Sequence, residues 1–105
     1  MIAQQDLYFE LHVDYATRRI ALHGELDVAV ASCLGTAVAH VQHSRSGEIV
    51  IDLADVTFMD AAGLGALVAA RAAQHERGDR LTIDHAGAEV RRVFLTSRLA
   101  ALLDD

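Results

Sequence analysis

The segment IVIDLADVTFMDAAGLGALVAA, residues 49–70, decides the fold, because an apolar strand, a polar turn and a small-residue helix follow one another directly. The β-branched run Ile49–Ile51 is typical of a strand covered on both faces. Asp60 is a good N-cap for the helix that follows it. We therefore expect a strand over Glu48–Leu53, a helix over Ala61–Arg77, and a loop between them.

The flanking sequence predicts further short elements. Alternation of polar and apolar residues indicates strands, whereas apolar residues three or four positions apart indicate amphipathic helices. The turn Asp14–Thr17 predicts a hairpin, whose second strand is expected to end at Gly24. The additional elements are strands over Leu7–Val13, Arg18–Leu22 and Arg80–Asp84, helices over Val28–His43 (capped by Asp27) and Gly87–Leu95, and an apolar turn over Leu99–Leu103.

The order β-β-α-β-α-β-α predicts a small α/β domain. A strand–helix–strand unit requires a right-handed parallel crossover, and the hairpin supplies antiparallel pairing. We expect one mixed sheet, an antiparallel N-terminal hairpin plus parallel strands, with helices packed on it. The helix residues expected to face the core are Val30, Leu34, Val38 (or Ala37), Val41, Leu64, Leu67, Val68, Ala72, Val90, Val93 and Phe94.

Length and composition limit the class of protein. The 105 residues are expected to form one domain, residues 1–105, and the 52% hydrophobic content is that of a globular chain. The net charge of −6 argues against nucleic acid as the main partner. The single cysteine excludes an intrachain disulfide. With no signal peptide and no apolar run of about 20 residues, the sequence favours a cytoplasmic location.

The start of the second helix is the candidate binding site. Ligands and partners of open α/β sheets tend to meet the carboxyl ends of parallel strands, where this helix begins. Its first turn, residues 61–63, offers free backbone N–H groups that stabilise an anion. Gly63 and Gly65 allow a partner helix or a neighbouring strand to approach closely. A purely structural interpretation of this segment is also open. In it, Asp60 only caps the helix, and the small residues only allow tight packing between the strand and the helix.

Five short motifs, spread over most of the chain, carry a resemblance to a known family. They are Gly24-Glu25-Leu26-Asp27, Ile51-Asp52-Leu53, Val56-Thr57-Phe58-Met59-Asp60, Gly78-Asp79-Arg80-Leu81 and Val90-Arg91-Arg92-Val93-Phe94. Together they resemble the STAS domain family, the fold of anti-sigma factor antagonists. The resemblance implies a non-enzymatic regulatory module, without cofactor or metal, that binds a kinase-type anti-sigma factor and so frees a sigma factor.

One departure from the family pattern concerns regulation. In the family, Ser or Thr usually occupies one or both positions between the Asp and the Gly of this motif, and the partner kinase phosphorylates it. Here these positions are Ala61 and Ala62, which have no hydroxyl. We therefore expect that the usual phosphorylation switch is missing. Thr57 is the nearest hydroxyl and an alternative acceptor, although a loop threonine more often bonds to its own backbone.

The resemblance also implies a partner-binding surface around the start of the second helix. Phe58, Met59 and Leu64 are expected to form an exposed apolar face that drives association, since a few apolar contacts dominate such interfaces. The residues expected at the surface are Asp27, Thr57, Phe58, Met59, Asp60, Ala61, Ala62, Gly63, Leu64, Gly65 and Leu67.

Other interpretations stand beside this one. A STAS-like accessory subunit of an ABC lipid-transport complex needs a docking surface but no phosphoryl switch, so two alanines would be natural there. An enzyme is disfavoured, because Asp27 and Asp60 have no nucleophile beside them in the sequence. His40 and His43 lie three residues apart on a helix without a third ligand, so no metal site is predicted. The sequence leaves open whether the chain is a monomer or a homodimer.

Overall fold

A computed structural model describes residues 2–5 and 9–99 of the chain. Within these residues the elements are the strands β1 (Ile2–Gln5), β2 (Phe9–Asp14), β3 (Arg19–Leu26), β4 (Ile49–Met59) and β5 (Leu81–Asp84), and the helices α1 (Val28–Ser44), α2 (Ala61–Glu76) and α3 (Ala88–Thr96). The strands form one sheet in the order β1-β2-β3-β4-β5. The pairs β1–β2 and β2–β3 are antiparallel, whereas β3–β4 and β4–β5 are parallel. This confirms the predicted mixed α/β architecture.

The helices lie on one face of the sheet. Burial alternates along β2, β3, the first half of β4, and β5, so that one face of the described sheet is buried and the other is partly exposed. The buried side chains of all three helices join the same hydrophobic core as Leu11, Ile20 and Ile51. The opposite face is polar and is called the open sheet face below; it carries Arg19 and Asp52 among others.

The central strand is longer than predicted. β4 continues to Met59, so the expected loop after Leu53 is wrong, and β3 runs past Gly24 to Leu26. The two extensions stabilise each other, because Leu26 and Met59 are register partners in the parallel pair. Irregularities in the register flank Gly24, whose φ of 97° is readily adopted only by glycine. At these irregularities the spacing between buried residues of β4 changes from two to three. The second half of β4 therefore lacks the alternation by which a strand is recognised in a sequence.

Two further predictions concern the ends of the chain. Strand β1 was not predicted; it pairs with β2 through Ile2 and His12. The first predicted strand begins at Phe9 in the structure, and Leu7 lies outside the described residues. The apolar turn predicted over Leu99–Leu103 is described only at Leu99, which packs against the core.

The core stripe of α1 is confirmed, whereas that of α2 is partly wrong. The buried residues of α1 are Val30, Leu34, Ala37, Val38 and Val41, as predicted. On α2, Val68 and Ala72 are exposed, and Ala70 and Gln74 are buried in addition to Leu64 and Leu67. Gln74 tolerates full burial because its amide nitrogen donates to the carbonyl oxygens of Gly47 and Arg80, at 2.9 and 2.8 Å.

Arg18 is a buried cation at the end of the sheet opposite the predicted site. Its hydrogen bonds connect this end of the sheet to α1. Arg18 is 4% exposed. Its guanidinium donates to backbone carbonyl oxygens of Glu48 and Gly47, each at 3.0 Å, and to those of Val41 and Arg45 at the end of α1. Burial lowers the pKa of this guanidinium, and the nearby Arg45 adds to the effect. The carbonyl dipoles replace the hydration that the charge loses.

Candidate functional site

Helices α1 and α2 begin side by side at one edge of the sheet. β3 and β4 are parallel neighbours, so both helices start where these strands end. The carboxylate of Asp27 accepts a hydrogen bond from the Ala29 N–H, and that of Asp60 accepts one from the Gly63 N–H, both at 3.0 Å. The predicted capping roles of the two aspartates are confirmed, and both lie at the same end of the sheet.

The two glycines of the motif have different surroundings. A Cβ at Gly63 would lie 2.3 Å from the carbonyl oxygen of Leu26 and 2.9 Å from Met59 Cγ. The group that approaches Gly63 closely is therefore a neighbouring strand of the domain itself, and not a partner helix. A Cβ at Gly65 would meet no atom within 4 Å, and this residue is exposed. Only Gly65 leaves its backbone open to a partner.

The predicted apolar contact face is only partly exposed. Phe58 is 49% exposed, but Met59 is 3% and Leu64 is 6% exposed, and Leu67 is fully buried. The prediction that Met59 and Leu64 are exposed is wrong, because the extended β4 turns Met59 into the core and α2 packs Leu64 beneath it. These residues, with Gly63, support the site from inside and do not offer side chains to a partner.

The exposed part of the site has an apolar, small-residue character. Val28 at the start of α1 is 75% exposed and was not predicted, although its place directly after the Asp27 cap is a signal in the sequence. Thr57, Ala61 and Gly65 are exposed, and Ala62 is half-buried. We call Val28, Thr57, Phe58, Ala61, Ala62 and Gly65 the edge surface. Asp27 and Asp60, both half-buried, cap the helices beneath it.

Thr57 does not occupy a loop. It lies on β4, exposed, three residues before the α2 cap. Within the described part of the chain its hydroxyl makes no hydrogen bond to its own backbone, so the expected capping role is wrong. The register of β3 and β4 shifts at this point: Val56 pairs with Gly24 and Phe58 with Glu25, so Thr57 has no register partner on β3. At the two family phosphosite positions, Ala61 and Ala62, the side chains are methyl groups.

A shallow groove separates the two parallel helices. It encloses about 430 Å³ between α1 and α2, and alanines from both helices make up most of its wall. Its polar side chains are Ser32 and Gln42, with no acid or base among the lining residues. His40 and His43 are exposed on the outer side of α1, and the described residues hold no cluster of His, Cys, Asp or Glu that could bind a metal.

A cluster of charged side chains on the open sheet face was missed by the sequence analysis. Arg19 donates to Asp52 at 2.9 Å and to Asp84 at 3.0 Å, and His85 Nδ1 lies 3.2 Å from Asp52 Oδ1. Hydrogen bonds to Asp52 and Asp84 raise the pKa of Arg19. Asp52 and Asp84 are register partners, so correct pairing of β4 with β5 would have revealed them. The two ion pairs of Arg19 join β3 to β4 and to the end of β5.

In the part of the chain that the structure describes, no helix has the length and apolar character needed to cross a bilayer.

The chain has been compared with known proteins by sequence and by structure. Residues 10–104 match a family model described as "Mlab, STAS domain". A comparison with curated protein sequences found no match. Among solved structures, the chain is similar to the anti-sigma factor antagonist SpoIIAA in its unphosphorylated form, with 20% identity, a TM-score of 0.75, and coverage of 90% of this chain and 86% of SpoIIAA.

Two other solved structures extend the likeness. An anti-sigma factor antagonist from Mycobacterium paratuberculosis is 24% identical with a TM-score of 0.74, over 91% of this chain and 83% of the other. A sulfate transporter family protein from Wolinella succinogenes is 18% identical with a TM-score of 0.68, over 80% of this chain and 69% of the other. These likenesses agree with the fold, and the family model covers most of the chain. The chain belongs to the STAS domain family.

Proposed function

We propose that this protein is a cytoplasmic anti-sigma factor antagonist that binds a kinase-type anti-sigma factor through the edge surface and thereby frees a sigma factor. Membership of the STAS domain family supports a regulatory, protein-binding role. Two of the similar structures are described as anti-sigma factor antagonists, which favours this branch of the family. The proposal involves no catalysis by the chain itself.

The exposed apolar edge surface carries this proposal. Phe58 and Val28 expose 49% and 75% of their surface at an edge of the domain where two helices start. Ala61 and Gly65 have small side chains or none, so the backbone in the first turns of α2 is accessible. A partner side chain can therefore contact this backbone beside Phe58. Large apolar side chains next to small residues are typical of interface anchors and the pockets around them.

The two alanines support the absence of a phosphoryl switch at this surface. Phosphorylation would add a charge of roughly −1.5 to −2 and would disrupt an apolar contact by desolvation. Ala61 and Ala62 cannot accept a phosphoryl group, so binding is constitutive or is regulated on the partner. Asp60 already places a carboxylate at the positive end of α2, through its bond to the Gly63 N–H.

Affinity capture tests the proposal. The tagged chain is used to isolate partners from native cell extract, which are identified by mass spectrometry, together with an Ala61→Asp variant. A kinase-fold anti-sigma factor should be captured by the unmodified chain and lost with Ala61→Asp. Ala16→Asp, in the exposed turn between β2 and β3 at the opposite end of the sheet, is the control and should retain the partner. If the Ala61→Asp variant still captures the partner, the edge surface is excluded as the binding site.

A second candidate function has a specific observation in its favour. The matched family model takes its description from the STAS domain of Mlab and not from an anti-sigma factor antagonist. An accessory subunit of an ABC lipid-transport complex requires stable docking and no hydroxyl at positions 61 and 62. In the same capture experiment, an ABC ATPase in place of a kinase-fold protein would support this second function and contradict the first.

A further inference from the structure

The outward face of α3 combines an exposed leucine with arginines. Leu95 is 61% exposed. Arg91 and Arg92 precede it by one helical turn on the same exposed face, and Arg98 follows the end of the helix. Val90 and Phe94, on the opposite side of α3, are buried in the core. We call Arg91, Arg92, Leu95 and Arg98 the α3 patch.

Arg98 occupies a backbone position that favours glycine. Its φ is 60°, in the left-handed region. Its N–H donates to the Leu95 carbonyl at 3.1 Å, and the Leu99 N–H donates to the Phe94 carbonyl at 2.8 Å. This pair of bonds forms the helix end that usually has Gly at this position. At the end of α2, Gly78 has a φ of 79° and makes the equivalent bond.

The side chain of Arg98 has no polar partner within the described chain, in contrast to that of Arg18. Arg18 also has a positive φ, 59°, and its guanidinium is held by four carbonyl groups. No described residue accepts a hydrogen bond or ion pair from the side chain of Arg98 or of Arg91. Arg92 has only Glu89, at 3.7 Å, and both of these side chains are 72% exposed. The guanidinium groups of Arg91 and Arg98 are therefore available to a binding partner.

We propose that the α3 patch docks an acidic segment of a protein partner, with carboxylates placed around an apolar side chain. The arginines supply bidentate donors for carboxylates, and Leu95 supplies the apolar contact between them. The chain has a net charge of −6, and Glu89 is the only acid within α3, so the patch is a positive area on an acidic molecule. This surface shares no residue with the edge surface of the proposed function.

The charge distribution favours a short acidic segment over an extended anionic surface. An anionic lipid bilayer or a nucleic acid is larger than the patch and would also lie near other parts of the domain. Acidic side chains within a Debye length of about 8 Å of that anionic surface would interact with its charge. Those acids outnumber the bases and would be repelled. Three arginines near a membrane supply roughly 3 kcal/mol of attraction, too little for stable anchoring without a second signal. A peptide that covers only the patch avoids this repulsion.

Fluorescence anisotropy tests the proposal with a labelled synthetic helical peptide of Leu and Glu and the matching Leu and Lys peptide. The full chain should bind the Glu peptide and not the Lys peptide. Arg91→Glu should weaken binding about tenfold and Arg98→Gly about threefold, as expected for exposed ion pairs. Arg98→Gly should also raise the Tm by several degrees, because glycine removes the strain. Arg45→Glu, on the loop after α1, is the charge-matched control for Arg91→Glu.

Three outcomes would overturn the proposal. Binding of the Glu peptide that is unchanged by both Arg91→Glu and Arg98→Gly would place the contact elsewhere. Stronger binding to vesicles of phosphatidylglycerol and phosphatidylcholine than to the Glu peptide would identify a lipid surface as the ligand. Binding of the Glu peptide only to the variant that carries both Asp104→Asn and Asp105→Asn would show that the patch recognises acids of the chain itself and not those of a partner.

Discussion

Gly63 lies so close to Leu26 that the junction between β3 and α2 has no room for a side chain. A Cβ at Gly63 would stand 2.3 Å from the Leu26 carbonyl oxygen and 2.9 Å from Leu26 Cγ. The same carbonyl oxygen accepts a bond from the Asp60 N–H at 3.4 Å. This contact fixes the distance between the start of α2 and β3. It therefore also fixes the position of the α2 residues of the edge surface relative to the sheet.

Gly63→Ala should destabilise the domain, because the clash involves backbone and α2 must shift away from β3. We expect a loss of about 1 to 3 kcal/mol in the free energy of unfolding, as for overpacked cores. Gly65→Ala is the matched control, since a Cβ there meets no atom within 4 Å. It should add about 0.5 to 1 kcal/mol through helix propensity. Urea denaturation measures both; equal effects of the two substitutions would contradict the packing assigned to Gly63.

Arg18→Met should cost roughly 2 to 4 kcal/mol of unfolding free energy, because four carbonyl oxygens would each lose a charged donor. Arg98→Met is the control. Both arginines have a φ near 60°, so the backbone effect cancels and the difference isolates the side-chain contacts. Arg98→Met should change stability by less than about 0.5 kcal/mol. Similar losses for both variants would show that the bonds of Arg18 contribute little.

The stability of the domain should depend on the charge of Asp52 in acid. Burial raises the pKa of Asp52, but hydrogen bonds from the Ala54 N–H, Arg19 and His85 outweigh it, and the pKa lies below its usual value. A lowered folded-state pKa means that the carboxylate stabilises the fold above about pH 4 and that this contribution is lost as the pH falls through the folded-state value.

Asp52→Asn removes this titration. The variant should be less stable than the unmodified chain at neutral pH, and its Tm should fall less steeply between about pH 5 and pH 3. Asp55→Asn, on the same strand and with the Arg19 contacts intact, controls for the loss of one carboxylate. Thermal denaturation across this range measures the slopes. Parallel Tm curves for Asp52→Asn and the unmodified chain would contradict the role of Asp52.

Local signals predicted much of the fold. The caps Asp27 and Asp60, the stripe on α1 and the hairpin at Asp14–Thr17 depend on neighbouring residues, and the structure confirms them. The end of β4 depends on pairing with β3, about thirty residues earlier in the chain. Its buried residues Leu53, Val56 and Met59 are three apart, a spacing that is untypical of strands. Local patterns therefore do not predict a strand beyond Leu53.

The errors at the candidate site have the same origin. Burial of Met59 follows from the extension of β4. At the opposite end of the sheet, burial of Gln74 likewise follows from carbonyl groups of Gly47 and Arg80 that sequence spacing does not place nearby. Exposure of Phe58 and the lack of a hydroxyl at Ala61 and Ala62 are predicted correctly from the motif alone. Sequence patterns thus predicted the caps and small residues of the candidate site, whereas long-range pairing determined which of its residues are exposed.

The affinity of the chain for the proposed kinase-type anti-sigma factor, measured by calorimetry before and after incubation with ATP, tests the central claim most directly. The account predicts that ATP leaves binding of the unmodified chain unchanged, because Ala61 and Ala62 cannot be phosphorylated. Ala62→Ser should restore a phosphate acceptor and lose affinity after ATP treatment. A loss of affinity in the unmodified chain, with phosphate found on Thr57, would contradict the absence of a switch.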